Sequence, residues 1–192
     1  MTSTRTRRCA MLAAAAFLLP VSLGVAAPAF ADTPAAGPFG PACASVPKEG
    51  SGSLAGMAED PVATAASHNP ALSTLFTAVK KAGLVDTLNN AQNITVFAPS
   101  NAAFAKIPKA DLAKILGDKA QLTKILTYHV VGEKITPKQM EKGTFKTLEG
   151  GSLTTAGYGD EFTVNKTAKV VCGDVQTANA TVNIIDTVLT PK

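Results

Sequence analysis

The chain has 192 residues, of which 46% are hydrophobic and 17% charged. That describes one domain with a tail, able to bury a core, and excludes both a wholly disordered chain and two full domains. A formal charge of +4 invites a nucleic-acid or membrane reading, but Arg5, Arg7 and Arg8 are the only arginines and no acidic residue precedes Asp32.

Residues 1–31 read as a secretory signal peptide, removed before Asp32. They combine a positive start, an apolar run broken by Pro20 and a small-residue exit at Ala29-Phe30-Ala31. Cys9 lies at the front of the apolar run and leaves with it. What remains is nearly neutral, with lysine as its only permanent cation. Without arginine it lacks the forked donor that phosphate and guanine recognition favours, so nucleic acid is not an expected partner. No later apolar run has the length of a membrane span. The expectation is a secreted monomer. Its two remaining cysteines, Cys43 and Cys172, read as one disulfide in an oxidising compartment.

Residues 32–56 are rich in Pro, Gly, Ala and Ser and read as an irregular arm. The body is expected over 57–192. Asp60 is the expected cap of a first short helix to about Ser67, with Pro61 at its first position. Leu72, Leu75, Phe76 and Val79 mark one face of a helix that Gly83 ends. A strand is expected over 94–98, and Ser100 caps a short helix carrying Phe104. Leu112, Ile115 and Leu116 mark another helix. Asp118 caps the next, with Leu122, Ile125 and Leu126 on one face.

From Tyr128 the character changes. Tyr128 to Val131 reads as a strand, which would send Tyr128 and His129 to opposite faces. A short helix over 137–141 is followed by strand-like runs at 145–148, 153–156, 161–165, 169–172, 175–178 and 181–189. Gly157-Tyr158-Gly159-Asp160 makes a hairpin connection. Helices first and strands later imply an α+β fold.

Three stretches resemble the fasciclin domain. They are Thr95-Val96-Phe97-Ala98-Pro99-Ser100-Asn101-Ala102-Ala103-Phe104, Leu126-Thr127-Tyr128-His129-Val130, and Asn179-Ala180-Thr181-Val182-Asn183-Ile184-Ile185-Asp186-Thr187-Val188-Leu189. Order and separation match too, and the resemblance covers about residues 54–191, in the manner of short secreted single-domain members from actinobacteria. It implies two β-sheets forming a wedge or sandwich with helices packed over them. It also implies a non-catalytic adhesion module whose Tyr-His pair and last box are linked to adhesion. In the last box Asn183 stands where His is frequent and Ala180 where Gly is frequent, so the integrin contact of animal members is not carried over.

Tyr128, His129, Asn183 and Asp186 are the candidate partner-binding residues, with a core or hydrogen-bonding role as the alternative for Tyr128 and His129 and a structural one for Asp186. On a strand apolar on both faces, Asp186 must lie near an end or accept hydrogen bonds. Catalysis has few candidates. His68 and His129 are the only histidines, Gly50-Ser51-Gly52-Ser53 has no strand before it, and no paired carboxylates stand out. No enzyme activity, metal or cofactor is expected. Asn93, Asn165 and Asn179 open glycosylation triplets, which an alanine-rich leader of bacterial look sets aside. The expected partner is a protein or glycan at a cell surface or matrix. The alternative is a carrier of a lipid or other apolar molecule, in a cavity lined by residues such as Phe76, Phe104 and Leu126.

Overall fold

The structure, a computed structural model, describes residues 37–191. The expected leader, its cleavage point, Cys9 and the first residues of the arm lie outside the described residues. At the centre are two strands from the two ends of the body. β1 (Ile94–Pro99) and β7 (Ala180–Ile185) pair in parallel, from Ile94 opposite Ala180 to Pro99 opposite Ile185. Every residue of both is buried. Ile94, Val96, Ala98, Val182 and Ile184 face one core, and Phe97 and Ile185 face a second. Apolar residues on both faces require cover on both sides, which the last box predicts.

The remaining strands are β2 (Val130–Val131), β3 (Lys142–Lys146), β4 (Ser152–Tyr158), β5 (Glu161–Val164) and β6 (Ala168–Gln176). The order is β2-β1-β7-β6-β5-β4-β3, antiparallel except for β1 and β7. The two sheets of the expected wedge are thus continuous through β6. A bridge between Val131 and Thr147 brings the two edges together, so the sheet nearly closes into a barrel around the second core.

Helices cover the other face: α1 (Leu54–Glu59), α2 (Val62–His68), α3 (Ser73–Ala82), α4 (Val85–Asn90), α5 (Asn101–Ala105), α6 (Lys109–Gly117) and α7 (Lys119–Tyr128). A short α8 (Pro137–Met140) precedes β3. Several follow from local chemistry. Gly83 ends α3 at φ 74°, a left-handed position glycine adopts without strain. Ser100 accepts from the Ala103 N–H at the start of α5, and Asp118 accepts from Ala120 and Gln121 at the start of α7.

Several expectations need correction, and α4 is a helix that the sequence does not announce. Asp60 caps the C-terminus of α1; α2 follows Pro61, and α1 itself, begun by Ser53, takes up part of what reads as arm. α4 has one buried side chain, Leu88, and a sequence with little helical preference. Tertiary bonds finish it: Asn179 Nδ2 donates to the carbonyls of Leu88 (2.7 Å) and Ala91 (2.6 Å), while its Oδ1 accepts from Val62 N–H at 2.8 Å. The runs at 169–172 and 175–178 are one strand, β6, interrupted by bulges. The last run stops at Ile185, so residues 186–191 leave the sheet as a tail.

The arm is tied down at four points. Phe39 and Gly173 exchange both backbone hydrogen bonds, at 3.1 and 2.8 Å. The Phe39 ring lies where a Cβ on Gly173 would stand, and meets Phe162 edge-on with centroids 5.1 Å apart. Gly40 turns the chain at φ 106°, so close to the Val171 carbonyl that a Cβ would clash. Cys43, in the 3-10 turn Pro41–Ser45, is bonded to Cys172 of β6 across 129 residues of sequence. Long loops make the chain-entropy gain large. Reduction is expected to lower the melting temperature by several degrees, from a bridge contribution of about 2–4 kcal/mol; an unchanged thermal melt in a thiol reductant would refute that role.

A second prediction concerns the barrel interior. Thr155 is buried and its Oγ1 has no partner. Removing a buried, unpaired hydroxyl while keeping the branched shape relieves a desolvation cost. Thr155→Val should stabilise the fold by about 1 kcal/mol in urea unfolding; destabilisation would show that the hydroxyl has a partner in solution.

Candidate functional site

The Tyr-His element lies at a helix end. Leu122, Ile125, Leu126 and His129 keep the i, i+3, i+4, i+7 spacing, so α7 carries its apolar stripe into the histidine. His129 is the C-cap, and its N–H donates back to Ile125 and Leu126. The expected strand over 128–131 therefore shrinks to Val130–Val131. The expected division of the pair between opposite strand faces fails with it, and both side chains are buried. Tyr128 is 5% exposed and His129 2%.

Both ring nitrogens of His129 are occupied by backbone. Nδ1 lies 2.8 Å from the Ile125 carbonyl, and Nε2 accepts the Leu189 N–H at 2.9 Å. A carbonyl only accepts and an amide N–H only donates, so the ring is neutral with its proton on Nδ1. Burial holds its pKa down at about 4, although the Ile125 carbonyl pulls the other way. The imidazole thus pins the C-terminal tail to the end of α7.

Tyr128 does the same for the hairpins. Its hydroxyl donates to the Ser152 carbonyl and accepts from Asn165 Nδ2, both at 3.1 Å. Asn165 Oδ1 in turn accepts the Thr154 N–H at 3.0 Å. Gly151 passes so close to the Tyr128 ring that a Cβ there would lie 2.9 Å from Cε2.

These anchors bound a surface groove of about 670 Å³, in the size range of small-molecule sites. One wall is β4 and the turn before it, with Glu149, Ser152 and Thr154. A second is the β5–β6 turn, with Asn165, Lys166 and Thr167. The third is the tail, with Val188, Leu189 and Pro191; the Tyr128 edge lies at the base. Sequence reasoning found Tyr128 but not the groove, whose walls come from segments far apart in the chain. Asn165 was visible only as a glycosylation triplet.

The other two candidates lie elsewhere. Asn183 is fully buried; its Oδ1 accepts the Asp174 N–H at 3.0 Å, across the bulge that interrupts β6. It stands in for a ladder hydrogen bond that the bulge removes. Asp186 follows β7. Its Oδ1 accepts the Lys169 N–H at 2.8 Å and the Thr187 hydroxyl at 3.0 Å, and its Oδ2 pairs with Lys106 at 2.9 Å. Partial burial pushes this carboxyl up, but the bonds from Lys106, Lys169 and Thr187 together hold it below its ordinary value. Tyr128, His129 and Asn183 thus act from inside the fold, and only Asp186 is partly open to solvent.

Between the helices and β1 lies an apolar void of about 30 Å³, lined by Phe76, Leu126 and the alanines of α2. Phe104 does not line it. It has room for about one water, far less than a lipid chain. Among the described residues no helix is long and apolar enough to cross a membrane, and no cluster of three His, Cys, Asp or Glu is placed to hold a metal.

A helix-covered, nearly closed mixed sheet with its polar motif turned inward defines an α+β domain. The chain belongs to the fasciclin domain family, whose model matches residues 70–191. Cell surface glycolipoprotein MPB83 of Mycobacterium bovis is 50% identical over 171 residues, 85% of this chain and 76% of that one. Immunogenic protein MPB70 of the same species is 46% identical over 187 residues, 93% of each. Protein sll1483 of Synechocystis is 42% identical over 128 residues, 66% of this chain and 71% of that one. A FAS1 domain pair from the insect cell adhesion molecule Fasciclin I shares the fold, with a TM-score of 0.58 at 21% identity. The match covers 71% of this chain and 52% of that one, so the chain spans only about half of the pair.

His129 makes stability depend on pH. Its folded pKa of about 4 lies below the ordinary 6.5, so between these values the unfolded chain binds more protons. The contribution is full above pH 6.5 and is lost as pH falls through 4. Two to three pKa units correspond to about 3 kcal/mol. As pH is lowered through this window, urea midpoints should fall in the parent chain and fall less in His129→Gln; equal slopes would contradict the assignment.

Proposed function

We propose that the protein is an exported, non-catalytic adhesion module that holds a protein or glycan partner of the cell surface or envelope in the groove beside Tyr128. The leader over 1–31 serves export, and the disulfide suits the oxidising space outside the cell. The names of the mycobacterial relatives, a cell surface glycolipoprotein and an immunogenic protein, support that placement. The observation that carries the reading is the division of labour at the Tyr-His element. Both side chains are buried, yet each fixes a different wall of one open groove. Their link to adhesion then acts through the surface they build. Close packing of the apolar void favours this reading over the lipid carrier.

The test is to block the groove while keeping the Tyr128 and His129 side chains and the Thr154 backbone bond to Asn165 in place. Thr154 is exposed on β4, where an aromatic side chain suits a strand. Thr154→Trp should keep the melting temperature and weaken binding of the labelled chain to envelope fractions about tenfold or more, since a filled pocket excludes its ligand. Undiminished binding by the folded variant would overturn the groove as the contact surface.

A further inference from the structure

The charge lining the groove is unbalanced. Glu149 is compensated, with Lys124 Nζ at 3.6 Å and the Gly151 N–H at 3.1 Å. Lys166 is exposed at the rim, and among the described residues no carboxylate pairs with it. Among the described residues the groove therefore presents one free ammonium, set among the hydroxyls of Ser152, Thr154 and Thr167, with an apolar strip from the tail.

The backbone at Lys166 supplies an independent argument. Among the described residues four non-glycine residues have positive φ: Asn93, Asn165, Lys166 and Asp174. Three are Asn or Asp, types that tolerate the left-handed region. Lys166, at φ 59°, is the exception. It follows Asn165 in the turn between β5 and β6, where an Asn-Gly pair would fit without strain. Asn165 is braced by Tyr128 and Thr154. Among the described residues no hydrogen bond from the Lys166 side chain compensates its conformation. A strained residue that fixes no part of the fold but lines a groove points to a ligand.

We propose that the groove takes an acidic glycan, a sugar chain bearing carboxylates, and that Lys166 selects for the acid. This rests on the groove being the contact surface. Hydroxyl and amide groups interleaved with an apolar strip match the edges and faces of a sugar chain. The volume suits a short oligosaccharide better than a protein footprint, which needs about 800 Å² on each side. A single ammonium suits a singly charged carboxylate, whereas phosphate favours the arginine fork.

The test is a ¹H–¹⁵N NMR titration of the chain with trigalacturonate, maltotriose and a pentaglutamate peptide. Trigalacturonate should shift the amides of Thr154, Lys166, Thr167 and Leu189, and maltotriose should bind about tenfold more weakly, the value of one charge-assisted hydrogen bond. Lys166→Gly should melt a few degrees higher, lose the preference for the acid, and keep the weaker maltotriose response. Lys166→Arg should keep the preference. Equal shifts from both sugars, or a Lys166→Gly chain that binds trigalacturonate as well as the parent, would overturn the selection and leave the groove as contact surface. Stronger binding of pentaglutamate would overturn the sugar. No shift from any probe would overturn the glycan site, while the envelope assay with Thr154→Trp judges the groove separately.

Discussion

A buried imidazole with backbone on both sides is the constraint on which the functional end of this domain depends. His129 joins the last turn of α7 to the tail beyond β7 through two hydrogen bonds, at 2.8 and 2.9 Å. The bond to the tail does not survive a second proton on the ring, because the Leu189 N–H would then face another donor. Burial keeps that proton off. The tail follows a strand that ends at Ile185 and has no ladder to hold it, so this ring and Asp186 decide where it runs. With the tail fixed on one side and Tyr128 holding Ser152 and Asn165 on the other, an open groove stands on a closed core.

The same device recurs in the body. Asn179 satisfies the start of α2 and the end of α4 from the first residue before β7. Asn183 bonds across the bulge in β6, next to the cysteine that anchors the arm. Thr95 accepts the Ile135 N–H and donates to the Glu133 carbonyl. Each is a buried polar side chain that pairs with backbone left over where regular structure stops, which is where such pairing is most needed. That accounts physically for the polar residues inside the family's boxes. The first and last boxes are also adjacent in space, because β1 and β7 form the one parallel pair of the sheet.

Features that depend on local chemistry were legible in the sequence. Gly83, Ser100 and Asp118 mark helix ends that the structure places as read. The two-faced apolar pattern of the last box predicts a covered strand, and the structure covers it. Tyr128 misled because tyrosine and the valines at 130 and 131 carry strand preference. The competing signal was the stripe from Leu122 to His129, which the structure follows. α4 was illegible because its carbonyls are satisfied by a residue about ninety positions away. The groove was illegible for the same reason: no local pattern marks 149–154, 165–167 and 188–191 as neighbours. Lys166 was legible in principle, as a lysine after asparagine in a tight strand connection where glycine is the common choice.

The account stands on His129 being a neutral, doubly bonded strut and not a surface ligand. A long-range ¹H–¹⁵N correlation spectrum of its ring at neutral pH tests this directly. The predicted result is a protonated Nδ1 and a bare Nε2, with the Leu189 amide shifted downfield and protected from exchange. A ring protonated on Nε2, or one that exchanges freely between tautomers, would contradict it.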